Sequence, residues 1–128
     1  MREIAYLRLE NVDDNHYKFY EMTLEEGGRD STYDVVVRYG RIDTRGKTIY
    51  LRGKQFPNNE ARNVTLLMAR RGFLDQLKKK FRDKNYTLVD LNVQDHDLGN
   101  QITNEIEDLQ WEFEGSSKMM VRLEDRGF

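Results

Sequence analysis

The stretch that decides the fold runs from Val35 to Thr48 and reads VVVRYGRIDTRGKT. It opens with three consecutive valines, and β-branched residues are enriched in strands. Positions 43–46 read DTRG, a combination of Asp and Gly that favours turn conformations. We therefore predict a strand over residues 33–39 that continues to position 42, then a turn, then a strand over residues 48–52.

Two further strands are predicted upstream of this stretch. Residues 4–9 are rich in Ile, Tyr and Leu, and residues 17–25 alternate between polar and apolar side chains, as half-buried strands do. A cluster of Asn and Asp at positions 11–15 and the pair Gly27-Gly28 mark the turns that end them. The first half of the chain is therefore predicted to form an antiparallel sheet.

A helical pattern follows the strands. The segment Pro57-Asn58-Asn59 is typical of a helix start, because Asn side chains can cap exposed N–H groups. Apolar residues then recur at helical spacing to about residue 84, and Gly72 lies inside this run, where the helix can divide into two. These apolar residues are Ala61, Val64, Met68, Leu74, Leu77 and Phe81.

The last part of the chain contains a second amphipathic pattern. Ile102, Ile106, Leu109 and Phe113 are spaced as on one face of a helix, which predicts a helix over residues 100–114 with this stripe docked on protein. Trp111 lies off the stripe and is expected to be partly exposed. Residues 119–123 are interpreted as a short strand.

The whole pattern predicts an α+β protein, with a small antiparallel sheet of four or five strands and helices packed on one face. We expect two parts, a domain over residues 1–90 and an acidic extension over residues 91–128 that is helical and packs on the domain or on a partner.

Charge is distributed unevenly along the chain, although the net charge is only −2. Residues 38–84 contain 14 basic and 4 acidic residues, a net charge of +10, whereas residues 91–128 contain 3 basic and 9 acidic residues, a net charge of −6. A basic block attracts phosphate and an acidic segment repels it. The same distribution also suits two solvated faces, so charge alone leaves both interpretations open.

Residue types that carry catalysis are scarce. The chain has no cysteine, which excludes thiol nucleophiles and disulfides, and His16 and His96 are its two histidines. We find neither a Ser/His/Asp arrangement nor a phosphate-binding glycine loop between a strand and a helix. The sequence predicts a protein that is not an enzyme, takes no cofactor and binds no metal.

The central stretch, together with the segment from Lys18 to Glu21, resembles the WGR domain, a family named for a Trp-Gly-Arg triplet. That family combines a lysine-aromatic-tyrosine strand, a valine-rich strand ending in the triplet, and a turn close to Gly-Arg-Ile-Gly-Thr-x-Gly. Here Tyr39 replaces the family tryptophan and Asp43 replaces a turn glycine. The resemblance covers residue 4 to about residue 88, where Asn85-Tyr86 stands in place of a Gly-Tyr pair.

The resemblance implies a function in nucleic-acid binding. In the WGR domains of DNA-dependent poly(ADP-ribose) polymerases, the triplet aromatic packs on the nucleotide at a DNA break, and the triplet arginine takes part in contacts between domains. By resemblance, Tyr39 is the stacking residue and Arg41 the contact residue. The residues themselves fit this, since a ring can stack on a base and an arginine can grip a phosphate. The predicted nucleic-acid-binding residues are Tyr39, Arg41, Arg38, Arg45, Lys47 and Lys18.

Two functions remain open at this point. The first is a non-catalytic module that recognises DNA ends or backbone. The second is a protein-interaction adaptor or inhibitor that uses the same surface and the acidic tail. Locally, Tyr39 can instead cover the sheet, and Arg41 can pair with Asp43. We expect an intracellular protein, cytoplasmic or nuclear. Its expected partner is nucleic acid, with DNA favoured over RNA, and a protein effector is a further expected partner. We expect it to bind neither a membrane nor a small-molecule substrate.

Overall fold

The computed structural model describes residues 2–12, 17–83 and 86–112, and it leaves the side chains of Asp83 and of residues 109–112 outside that description. Five strands and two helices make up this part of the chain. The strands are β1 (Glu3–Asn11), β2 (Lys18–Glu26), β3 (Tyr33–Arg41), β4 (Lys47–Tyr50) and β5 (Thr87–Val93), and the helices are α1 (Leu66–Asp83) and α2 (His96–Glu112).

The strands form one sheet in the order β4-β3-β2-β1-β5, and every neighbouring pair is antiparallel. This confirms the predicted α+β class. β1, β2 and β3 begin and end within two residues of the predicted strands, because each buries alternate residues against one core. β5 was not identified from the sequence; its pairing with β1 shifts register between Arg8 and Leu9, which interrupts the alternation.

Both helices contribute to a single core with the sheet. α1 buries Ala69, Phe73, Leu77 and Phe81, which are four residues apart and therefore lie on one helix face. α2 buries Leu98, Ile102 and Ile106, so the predicted docking of its apolar stripe is confirmed for the two isoleucines. The side chains of Leu109 and Trp111 lie outside the described part of the structure, so the docking predicted for Leu109 and the exposure predicted for Trp111 stay predictions. Phe113 and the strand expected at 119–123 also lie outside the described residues.

The predicted helix start at Pro57 was wrong. Residues 57–59 form only a short 3₁₀ turn, and α1 begins at Leu66. Asn58, Asn59 and Asn63 adopt φ values of 55°, 61° and 52°, in the left-handed region that Asn tolerates better than most residues and that a right-handed helix cannot include. The intervening chain pairs with the sheet instead, with Val64 bridged to Tyr33.

Gly72 does not divide α1, which is continuous from residue 66 to 83. The absence of a side chain at Gly72 instead lets the ring of Phe56 approach the helix closely, because a β-carbon at this position would lie 2.6 Å from Cζ of Phe56. The loop before the helix therefore packs directly on the helix backbone.

β5 runs across residue 90, where we placed the boundary between domain and extension, and α2 follows it within three residues. The amide of Leu98 donates to Oδ1 of Asp95 (3.1 Å), which caps the start of α2. The division at residue 90 stays a prediction. Neither helix, over the residues described, is long and apolar enough to cross a membrane.

Candidate nucleic-acid interface

A groove of about 560 Å³ lies between α1 and the end of the sheet formed by β2, β3 and β4. Two kinds of side chain dominate its lining, and no carboxylate of the described residues is among them. The cations are Lys18, Arg41, Arg52, Lys79 and Lys80, and the aromatic side chains are Tyr20, Tyr39 and Tyr86. Phe19 also borders the groove, but its ring projects from the opposite face of the sheet, because Phe19 alternates with Tyr20 along β2. We call this surface the groove.

Strand register brings several of the predicted residues onto the groove side of the sheet. Lys18 is paired with Arg41, and Tyr39 is paired with both Tyr20 and Lys47 on its two neighbouring strands. Directly paired residues on antiparallel strands project from the same face. One face of the sheet therefore carries Tyr39, Arg41, Lys18 and Lys47. Helix α1 packs on this same face, but these four residues lie beyond the part of the sheet that it covers and are exposed.

The cations at the mouth of the groove are accessible. Tyr39 is 36% exposed, and Arg41, Lys18 and Lys79 are also exposed. None of these three cations forms an ion pair with a residue in the described ranges, so Arg41 does not pair with Asp43. Their positive charge is therefore available to an anionic ligand.

The floor of the groove is made by Tyr20, Tyr86 and α1. The ammonium of Lys80 lies 4.2 Å from the ring centroid of Tyr20 and 5.3 Å from that of Tyr86. Gln76 donates a hydrogen bond to the Tyr20 hydroxyl (2.9 Å). Burial raises the pKa of Tyr20 to about 12, so this tyrosine is neutral and adds no negative charge to the groove.

A comparison with protein-family models matches residues 4–87 to the WGR domain. The chain belongs to the WGR domain family. WGR domains are nucleic-acid-binding modules and are not themselves catalytic. Searches of curated proteins and of solved structures found no match.

The turn that follows the WGR triplet explains one departure from the family pattern. Asp43 adopts a φ of 73°, so the position that holds glycine in the family requires left-handed backbone, which Asp can adopt. The turn is closed by Thr44, whose amide and hydroxyl both donate to the carbonyl oxygen of Arg41, at 3.1 Å and 2.6 Å. The triplet arginine is thus held at the first residue of a closed turn.

Gly46, at the end of this turn, allows no side chain. Its φ is 70°, and a β-carbon would lie 2.6 Å from the carbonyl oxygen of Tyr39 and 2.7 Å from Cζ of Phe19. We expect Gly46→Ala to lower the free energy of unfolding by about 1–3 kcal/mol, from backbone strain and overpacking together. Urea unfolding measures this, and Gly28→Ala is the control, since its β-carbon would meet nothing closer than 3.8 Å. Equal losses in both variants would contradict the steric argument.

Three of the predicted site residues do not line the groove of this WGR domain. Lys47 lies beside Tyr39 on the same face of the sheet, whereas Arg38 and Arg45 lie elsewhere. Arg38 precedes Tyr39 and therefore projects from the opposite face, where its Nε donates to Oε1 of Glu21 (2.6 Å). Arg45 lies in the turn, and its carbonyl oxygen accepts a hydrogen bond from Nη1 of Arg38 (2.7 Å). Burial raises the pKa of the Glu21 carboxyl, but hydrogen bonds, chiefly from Tyr6 and Arg38, outweigh it, and the net pKa is lowered. Glu21 is therefore ionised at neutral pH.

Sequence reasoning missed the groove residues that come from outside β2 and β3. Arg52, Lys79, Lys80 and Tyr86 come from the end of the sheet, from α1 and from the residue before β5. From the sequence, the lysines at positions 78–80 entered only as part of the basic block at residues 38–84. The helical spacing could have grouped these residues, because lysines 79 and 80 follow Gln76 by three and four residues and therefore lie on the same side of the helix as Gln76.

Proposed function

We propose that this WGR domain is a non-catalytic module that binds DNA, at an end or along the backbone, through the groove. The observation that carries the proposal is the composition of the groove: five cations and three aromatic side chains, with no carboxylate among the described residues that line it. Proteins that bind unpaired nucleic acid combine a cationic path for phosphates with aromatic surfaces for bases or sugars.

The side chains divide into two roles in this proposal. Tyr39, exposed at the mouth of the groove, stacks on a base or sugar. Arg41 and Lys18 hold phosphates on the sheet side, Lys79 holds them from α1, and Arg52 holds them from the segment after β4. Lys47 and Arg45, on the exposed rim formed by β4 and the turn, extend the positive surface toward the next phosphate.

The proposal predicts a binding constant that depends steeply on salt. Each neutralised phosphate releases counterions, so the slope of log K against log salt changes by roughly −0.9 per contact. We expect Lys79→Gln to reduce the steepness by about that amount. Arg71→Gln is the matched control, because Arg71 is an exposed cation of α1 that does not line the groove. Fluorescence anisotropy with blunt, nicked and single-stranded DNA, at several salt concentrations, measures both.

The same experiment separates DNA binding from the alternative of a protein adaptor. If none of the three DNA forms binds at low salt, the groove is not a nucleic-acid site. If Lys79→Gln and Arg71→Gln change the slope equally, binding is spread over the whole basic surface and does not depend on the groove.

A further inference from the structure

A cluster of charged and aromatic side chains lies on the face of the sheet opposite the groove, directly behind the turn. Its centre is Phe19, which is only 1% exposed although neither helix covers this face. The guanidinium carbons of Arg8 and Arg38 lie 4.6 Å and 4.5 Å from the centroid of its ring. The third neighbour of the ring is Gly46, whose missing β-carbon leaves room for Cζ. Phe19 therefore packs directly on the turn.

Arg38 uses its donors within the protein. Its Nε and Nη2 contact Oε1 of Glu21 at 2.6 Å and 2.5 Å, and its Nη1 donates to the carbonyl oxygen of Arg45 at 2.7 Å. One guanidinium thus ties β2, β3 and the turn together while it covers Phe19. Glu21 also accepts hydrogen bonds from Tyr6 and, at 3.3 Å, from Arg8, so it is held in place from a third strand.

We infer that Arg38 is a positioning residue, which fixes the turn at residues 41–46 and with it Arg41, and that it does not itself hold a phosphate. Strand alternation places its side chain on the opposite face from Tyr39, and its hydrogen bonds to Glu21 and Arg45 occupy the fork that would grip a phosphate. The binding consequence rests on the proposed function, whereas the effect on the turn does not.

Replacing Glu21 with glutamine distinguishes positioning from direct contact by the sign of the effect. If Arg38 held a phosphate, removing the neighbouring carboxylate would free its charge, and DNA would bind more tightly. If Arg38 positions the turn, the substitution weakens the hydrogen bonds from Arg38 to residue 21, because their acceptor is no longer charged, and the turn becomes less rigid. We then expect DNA binding to be about three- to tenfold weaker, with an unchanged dependence of affinity on salt. Glu26→Gln is the matched control, since it removes the same charge from the far end of β2, where Glu26 pairs with Arg2.

Amide hydrogen exchange tests the effect on the turn without any nucleic acid. The amides of Ile42 and Thr44 donate to the carbonyl oxygens of Tyr17 and Arg41. We expect both to exchange faster in Glu21→Gln and to keep the wild-type rate in Glu26→Gln. The variant Arg38→Lys keeps the positive charge but loses the fork, and we expect it to show the same faster exchange and the same weaker binding.

Each outcome bears on the proposal. Faster exchange with weaker binding supports it. If both variants exchange faster but the wild-type protein binds no DNA, the positioning role of Arg38 is supported and the proposed function is rejected. Unchanged exchange in either variant overturns the positioning role. Tighter binding of Glu21→Gln also overturns it and makes Arg38 a contact residue.

Discussion

Replacing Tyr39 with alanine is expected to weaken DNA binding tenfold or more while the domain stays folded. Stacking of a base on an aromatic side chain contributes roughly 1–3 kcal/mol, which corresponds to about 5- to 150-fold in affinity. The ring of Tyr39 is exposed at the mouth of the groove and lies outside the buried core, so its loss removes a contact surface without opening a cavity. Anisotropy titration measures the affinity, and circular dichroism checks the fold.

Three variants sharpen this test. Tyr39→Phe keeps the ring and Tyr39→Trp restores the family aromatic, so both are expected to bind about as well as the wild type. Tyr50→Ala removes a ring from the opposite face of the same sheet, where Arg62 lies 5.3 Å from the ring centroid, and is expected to leave binding unchanged. Unchanged binding in Tyr39→Ala, with an unchanged circular dichroism spectrum, would favour the protein-adaptor function.

The parts of the fold that were predicted from sequence are those with a regular period. In β1 to β3, buried side chains alternate with partly exposed ones, and the sequence shows this as an alternation of apolar and polar residues. β5 is hidden because Asp90 and Asn92 interrupt it and because a register shift breaks the alternation. The start of α1 was misplaced because left-handed asparagines are indistinguishable, in sequence, from asparagines that cap a helix.

The site was predicted on one side only. Tyr39, Arg41 and Lys18 all belong to the WGR pattern, and the strand register places them on the same face of the sheet. Lys79 belongs to α1 and Arg52 to the segment after β4, and only the tertiary structure brings both to the groove. Arg38 and Tyr39 are adjacent on a strand, so strand alternation alone predicts that their side chains project from opposite faces. The hydrogen bonds of Arg38 to Glu21 and Arg45 depend on the tertiary structure and are not visible in the sequence.

Acidic residues just before and within α2 pair with the flank of α1 that lies away from the groove. Arg70 pairs with Asp95 at 2.7 Å and Lys78 with Glu105 at 3.6 Å, both from the region of α2. With 3.6 residues per turn, these two basic positions share one side of α1, and Lys79 falls on the other. Residues 91–112 contain six acidic residues and no Lys or Arg. α2 therefore neutralises one flank of α1 and leaves the groove flank positive.

Ending the chain after Asp90 is expected to unfold the domain, although the WGR family match ends at residue 87. The truncation removes buried side chains from both β5 and α2, namely Leu91, Val93, Leu98, Ile102 and Ile106. Full burial of such a side chain is worth about 1.5–3 kcal/mol. Together the five are comparable to the whole stability of a typical domain, about 5–15 kcal/mol. Their packing partners on β1 and α1 would also become exposed to water.

Far-UV circular dichroism and urea unfolding of the truncated protein measure this result. The truncation also removes a net charge of −6, so the double variant Glu107→Gln, Asp108→Asn is the control. It removes charge from exposed positions of α2 and keeps the buried ones, and we expect it to unfold at the wild-type urea concentration. If the truncated protein instead unfolds cooperatively at that same concentration, residues 1–90 are an independent domain and α2 is an extension that docks on it. If it is unfolded, the WGR domain of this protein requires β5 and α2 as part of its core.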